Sequence, residues 1–287
     1  MLQQTQVVTV RDYFARFVQR FPDVNALAQA TLDEVLGLWS GLGYYSRARN
    51  LHRCAQAVVQ QHGGVFPPDA AQLQTLPGIG RSTAAAIASL CYSERVAILD
   101  GNVKRVVSRY LGFEGDLAQT AQQQRLWQLA TDLLPVDDGP DSMPTYTQGM
   151  MDLGATLCTT RKPDCPSCPL QDQCRAHALG RPEAFPVKTR KLKRSAQSIW
   201  LLWAQTDDGA VWLSRRPTPG VWAGLHCLSL FDDLDSLHAS LPRDGVLGCE
   251  EGPTFKHVLT HKDLHLHPVR VRLARRVALD AVGAWVD

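Results

Sequence analysis

Residues 158–174, CTTRKPDCPSCPLQDQC, hold four of the chain's eight cysteines: Cys158, Cys165, Cys168 and Cys174, spaced C-x6-C-x2-C-x5-C. Thiolates at this density can cross-link a loop or hold a metal. The chain opens without a charged n-region and an apolar h-region, so nothing marks it as secreted, and clustered cysteines in a reducing compartment point to metal. Structural zinc usually takes two C-x2-C pairs, or one pair with histidines, and one such pair is present. Iron–sulfur clusters accept four cysteines at less regular spacing. Spacing alone leaves zinc and [4Fe–4S] open.

Two further stretches could do chemistry. In LPGIGRSTAAAI, residues 76–87, Pro77 stops a preceding helix, and Gly78 and Gly80 are expected to form a tight turn with positive φ. Ser82 and Thr83 then open a new helix. Such a turn presents backbone N–H groups at a helix N-terminus, where the macrodipole favours an anion, and Arg81 adds a formal charge. That suits a DNA phosphate, a contact that positions without reading bases. An ordinary helix–helix turn uses the same residues. A nucleotide loop is excluded because no strand precedes Gly78. In ILDGNVKRV, residues 98–106, Asp100 follows an apolar run and precedes a helix, so periodicity alone makes it an N-cap.

The elements that must carry these residues follow from periodicity. VVTVRDYFARFVQRF, TLDEVLGLWSGL, ARNLHRCAQAVVQQH, STAAAIASLCY, VKRVVSRYLG and QQQRLWQLATDLL repeat apolar residues every three or four positions and predict helices. Thr31 and Glu34 have the spacing of a capping box. Beyond the cysteines the texture changes. SIWLLWAQT, AVWLSRR, HCLSL and HPVRVRLA predict short strands of a small α+β or barrel-like domain. The boundary falls at 183–197, which includes the basic run Lys188, Arg190, Lys191, Lys193 and Arg194, expected to be a solvated linker. The formal net charge is +2 and Lys+Arg balances Asp+Glu over residues 1–182, so affinity for nucleic acid there must come from local patches. No apolar run approaches the roughly 18–20 residues of a membrane span.

The hairpin, the aspartate about twenty residues later and the four cysteines together resemble the helix–hairpin–helix DNA glycosylases that carry a [4Fe–4S] cluster. The endonuclease III type places an imine-forming lysine where this chain has Ser82, and serine cannot form a Schiff base. QQTQV at 3–7, GLGYYSRARNLH at 41–52 and LDGNVKRV are instead similar to adenine DNA glycosylases of the MutY type. RRPTPGVWAGLHCL and FKHVLTHKDLHLH resemble that family's Nudix-like C-terminal domain. The helix region LFDDLDSLHASL lacks the glutamates of a working Nudix hydrolase, so pyrophosphatase activity is not expected. The resemblance implies a mostly α glycosylase domain at 1–182 with its cluster loop at 158–174. A basic linker at 183–197 and an α+β Nudix-like 8-oxoguanine-recognition domain at 198–287 follow.

It also implies roles. Cys158, Cys165, Cys168 and Cys174 hold the [4Fe–4S] cluster, with Arg161, Lys162 and Arg175 near enough to reach DNA. Asp100 stabilises the cationic sugar as adenine leaves. Gln3 and Gln4 brace the vacated duplex, and Tyr44 wedges beside 8-oxoguanine. Gly78, Gly80, Arg81 and Ser82 form the phosphate hairpin, Lys104 is a phosphate or bystander contact, and Thr260 and His261 read the lesion. His257, His265 and His267 invite a metal reading, but 265 and 267 alternate with apolar residues and are expected to be strand-face histidines. The implied partner is double-stranded DNA with adenine opposite 8-oxoguanine or guanine, bound by a cytoplasmic monomer. A non-catalytic DNA-binding paralogue or an endonuclease III-type lyase are the alternatives. The family's general acid is a glutamate on a helix running into M-L-Q-Q-T-Q, which here begins at Met1. None of Glu34, Glu94 or Glu114 has a matching context, and the chain stops at GAWVD, earlier than the family's usual closing helix. The chain as written is therefore expected to be feeble or inactive.

Overall fold

A computed structural model describes residues 1, 3, 5, 7–136, 139–189, 194–280 and 282–287. The chain divides into two compact units, Met1–Lys191 and Leu192–Asp287. The first is helical: α1 Val7–Arg20, α2 Val24–Gln29, α3 Leu32–Trp39, α4 Ser46–His62, α5 Ala70–Leu73, α6 Arg81–Tyr92, α7 Gly101–Leu111, α8 Thr120–Asp132, α9 Ser142–Thr156 and α10 Arg175–Ala178. Among the described residues no helix is long and apolar enough to cross a membrane.

Local chemistry sets several boundaries. The Thr31/Glu34 capping box forms as expected, each side chain accepting from the other's backbone N–H. Gly63 ends α4 in the left-handed region at φ 61°. Buried Ala84, Ala85 and Ala88 allow α6 to be packed closely. Leu99, Val103 and Val107, before and along α7, join Leu126 of α8 and Met143 of α9 in one core.

Helix α9 was not apparent from periodicity. The residues it buries against α6 and α7 are Met143, Thr147 and Gly154, so a hydroxyl and a glycine interrupt the apolar stripe that would mark it. Ser89 of α6 closes a buried polar contact with it, its Oγ lying 2.6 Å from Thr147 Oγ1.

The second unit is an eight-stranded mixed sheet with path order β3-β2-β1-β7-β5. Its strands are β1 Ser195–Thr206, β2 Val211–Arg215, β3 His226–Cys227, β4 Ser229–Phe231, β5 Val246–Glu251, β6 Phe255–Val258, β7 Lys262–Leu273 and β8 Gly283–Val286. Off the path, β4 pairs with β1, β6 with β7 and β8 with β2. Strands β1 and β7 run parallel from Ser195↔Lys262 to Thr206↔Leu273. The helix α11, Leu234–Ala239, places Leu237 in a core with Leu202, Trp212, Val269 and Val271. His265 and His267 lie on β7 in alternation with buried Leu264 and Leu266, as the sequence predicts, and His267 stacks on Trp200 at 4.4 Å.

The stretch 183–197, expected to be a solvated linker, is folded at both ends. Phe185 is buried, Val187 O accepts from Leu117 N, and Thr189 N donates to Asp116. Arg194 is bound to Thr260 and Asp263, and β1 begins at Ser195. An apolar ring and two carboxylates draw the chain onto the units despite its charge. Arg190, Lys191 and Lys193 lie outside the described residues.

Candidate functional site

The segment before α7 is packed into the core. Ala97, Ile98 and Leu99 are almost fully buried, and the Leu99 N–H donates to Ser82 Oγ at 3.2 Å. Ser82 thus ties the hairpin's helix to the residue preceding Asp100. Asp100 is the N-cap of α7, its Oδ1 accepting from Val103 N at 2.7 Å. Its second oxygen meets no partner among the described residues, so capping leaves it open to another group. Lys104, on the same helix, is partly buried.

The hairpin departs from expectation at one glycine. Gly78 has φ 78°, and a Cβ there would lie 2.5 Å from Asn50 Cβ, so glycine is required twice over. Gly80 instead has φ −83° and extended backbone because it is the N-cap of α6, where β-region angles are the rule. Open space around its Cα leaves the helix start unobstructed. The Arg81 guanidinium lies 4.0 Å from the centroid of the Trp127 ring, so its position is set by α8 rather than by the hairpin.

Gln3 reaches the same hairpin, its Nε2 donating to Thr83 Oγ1 at 3.2 Å. Gln4 lies outside the described residues. Tyr44 is half exposed at 48% and holds φ 48°. A non-glycine residue in the left-handed region costs about 1–3 kcal/mol and tends to mark functional positions. Arg47 joins these parts. It donates to Met1 O at 2.6 Å and Thr5 Oγ1 at 2.9 Å, and its guanidinium lies near the Trp39 and Tyr44 rings. A largely apolar cavity of about 670 Å³ lies here, lined by Gln3, Phe14, Trp39, Arg47, Gly78 and Thr83 among others. Asp100 does not line it.

The four cysteines, each partly exposed, line one small pocket together with Arg109 and His177. Arg109 was missed in the sequence and organises the loop. It is 2% exposed, and it donates to Cys158 Sγ at 3.3 Å, Thr159 O at 2.7 Å, Thr160 O at 3.2 Å and Phe185 O at 3.2 Å. Among the described residues it meets no carboxylate. Burial pushes the Cys165 thiol up, reinforced by repulsion from Cys174, Cys158 and Cys168, with Arg109 acting in the other direction. Among the described residues no three His, Cys, Asp or Glu side chains form a group that could hold a metal ion as placed. Arg161, Lys162 and Arg175 are exposed around the loop.

The loop and the aspartate are linked through α7. Arg105, also missed, donates to Asn102 Oδ1 at 2.9 Å, Gly154 O at 2.6 Å and Cys158 O at 2.7 Å. Arg105 and Arg109 are one helical repeat apart beside an apolar stripe, a spacing that a solvated helix face shares. Gly154 allows α9 to lie against the first turn of α7: a Cβ there would be 2.8 Å from Asn102 Cβ and 3.1 Å from Asn102 backbone atoms. Within a helix Gly→Ala normally gains up to about 1 kcal/mol. Gly154→Ala is expected to reverse that sign and cost about 1–3 kcal/mol through overpacking. Gly149→Ala in the same helix, with nothing within 4 Å of the new methyl, is expected to stabilise. Thermal unfolding of the two variants checks this.

Thr260 and His261 are both exposed and lie far along the chain, at the tip of the β6–β7 hairpin, which Leu259 N→Lys262 O closes at 2.8 Å. Glu34, Glu94 and Glu114 are engaged elsewhere, with Arg20 and Thr31, with the Ala70 N–H, and with Arg181.

The model of the HhH-GPD superfamily base excision DNA repair proteins matches residues 1–132, and that of the NUDIX domain matches residues 199–287. The chain is 36% identical over 275 residues to the adenine DNA glycosylase of Buchnera aphidicola subsp. Acyrthosiphon pisum, covering 95% of this chain and 77% of the relative. It is 47% identical over 178 residues to the adenine DNA glycosylase of Mus musculus, covering 62% of this chain and 34% of the relative. A solved structure of a thermostable thymine-DNA glycosylase superposes with TM-score 0.52 at 26% identity, covering 62% of this chain and 80% of that one. The helical fold with its hairpin, aspartate and sheet-containing second unit is that of a base excision DNA glycosylase of the HhH-GPD superfamily. Within that class, the chain belongs to the adenine DNA glycosylase family.

Proposed function

We propose that this enzyme removes adenine paired with 8-oxoguanine or guanine in double-stranded DNA, hydrolysing the N-glycosidic bond without cutting the strand. The observation that carries the reading is that Asp100 directly follows the residue that Ser82 holds. A carboxylate with one open oxygen starts α7, and the hairpin position that would hold a lyase lysine holds a serine bonded to Leu99 N. Breaking the bond builds positive charge on the sugar. A carboxylate fixed beside that charge stabilises the transition state more than the ground state. With no amine at residue 82 the sugar forms no imine, and water completes the reaction.

The other residues bind and orient in this reading. The N–H groups at the start of α6 hold a backbone phosphate. Adenine leaves the stack at a cost of roughly a few kcal/mol, Gln3 and Gln4 fill or brace the gap, and Tyr44 wedges beside 8-oxoguanine. Lys104 contacts a phosphate or stands by, and Thr260 and His261 read the altered edge of 8-oxoguanine. No described residue is assigned the role of protonating adenine. The test is a duplex with adenine opposite 8-oxoguanine: feeble adenine release is expected, slower by about 10²–10⁴-fold for want of a group that protonates adenine, leaving an abasic site that breaks only after alkali. Strand scission without alkali, or release of a base other than adenine, would overturn the reading.

We infer further that Cys158, Cys165, Cys168 and Cys174 hold a [4Fe–4S] cluster. The donor set fits. Four sulfurs share a pocket with a buried guanidinium, and a buried charge without a partner is costly, so Arg109 favours thiolates around it. When bound, the cluster cross-links residues 158–174 and takes no part in breaking the glycosidic bond. The purified protein is expected to be straw-brown with about four irons per chain. Cys168→Ser is expected to lose colour, iron and DNA binding together. A colourless protein with one zinc would sink the assignment, read by metal analysis and visible absorbance.

A further inference from the structure

The tip that carries Thr260 and His261 is held from outside its own hairpin. Arg194 Nη1 donates to Thr260 O at 2.8 Å, and the next residue's N–H, Ser195 N, donates to His261 O at 3.2 Å. Both tip carbonyls are therefore bound by consecutive residues at the entry to β1. The same guanidinium pairs with Asp263, the second residue of β7, and Lys256 Nζ closes on the other carboxylate oxygen at 2.7 Å. Those two cations, Lys256 foremost, hold the Asp263 carboxyl below the usual carboxylate range. Val258 faces Asp263 across the β6–β7 ladder, so the network spans the base of the tip.

We propose that Arg194 is a positioning residue for reading the base opposite adenine, clamping the Thr260–His261 tip through the Thr260 carbonyl and Asp263. The inference rests on the proposed role of that tip. A two-residue tip closed by one backbone bond has freedom to lose on binding. Fixing it beforehand lowers the ordering cost, and a planar guanidinium holds a carbonyl and a carboxylate in one rigid fork, with less freedom to lose than a lysine ammonium on its flexible stem. The competing role is a phosphate contact. Arg194 is poorly placed for it, because its charge is already shared with Asp263.

The experiment measures Kd of the full chain for duplexes carrying a non-hydrolysable adenosine analogue opposite 8-oxoguanine and opposite guanine, at several salt concentrations. Thermal unfolding is followed alongside. Arg194→Gln is expected to shrink the 8-oxoguanine preference about 3- to 10-fold. Affinity for undamaged duplex and the salt slope should stay unchanged, and Arg194→Lys should recover only part of the preference. Asp263→Ala is expected to lower the preference likewise, although removing an acid helps any phosphate contact. An unchanged preference in Arg194→Gln, with weaker binding to every duplex and a salt slope shallower by about one, makes Arg194 a phosphate contact and overturns the proposal. His261→Ala separates the two levels. If it lowers the preference and Arg194→Gln does not, the clamp fails and the tip's role stands. If it leaves the preference unchanged, both fall.

Discussion

Asp100→Asn is expected to lower adenine excision on the order of 10²–10³-fold, the size of losing one preorganised charge-stabilising group. Binding to the mismatched duplex is expected to change little. The substitution is informative because Asn and Asp cap helices about equally well. The bond from Val103 N to residue 100 survives, and only the negative charge goes. Asp100→Ala removes cap and charge together, costing about 1 kcal/mol of stability in addition. Single-turnover excision, duplex affinity and thermal unfolding of both variants separate the roles. If Asp100→Asn excises adenine at the parent rate while Asp100→Ala loses both stability and activity, Asp100 is a cap and the chemistry lies elsewhere.

Arg109→Met is expected to abolish the fold of the cysteine loop while every cysteine remains. It removes the donor to the Thr159, Thr160 and Phe185 carbonyls and to Cys158 Sγ. The buried Phe185 carbonyl left without a donor costs about 1–3 kcal/mol and the part-buried acceptors less, against a typical total stability of about 5–15 kcal/mol. The favourable charge beside the thiolates goes with it. Iron per chain and visible absorbance are expected to fall towards zero, and residues 158–189 should become sensitive to protease. Arg109→Lys is expected to fail nearly as badly, because an ammonium cannot span four acceptors in a planar fork. Retention of a full complement of iron by Arg109→Met would show that the loop does not depend on this guanidinium.

Several parts of this protein were legible along the chain because the physics that makes them is local. The amphipathic helices α1, α3, α4 and α7 face solvent on one side, so their periodicity survives in the sequence. The Thr31/Glu34 box and the Asp100 cap are bonds within one turn. The cysteine spacing places four thiols in one short loop, and a lysine or a serine at position 82 is a difference of residue type. The family follows from such features taken together.

Other parts depend on partners far apart in sequence, and only the tertiary structure decided them. Helix α9 buries Thr147 and Gly154 beside Met143 and so shows no continuous apolar stripe. Gly80 looks like Gly78 in sequence but takes the extended angles of a helix cap, while Gly78 alone must pass close to Asn50. Arg109 finds Cys158 at a separation of 49 residues, and Arg194 finds Thr260 at 66. In sequence the first is an arginine on an amphipathic helix and the second one of five charges in a basic run. Nothing local distinguishes a solvated arginine from one whose guanidinium is shared among three carbonyls and a sulfur. That difference is set by where the chain returns, because a hydrogen bond depends on a few ångströms of distance and not on separation along the backbone.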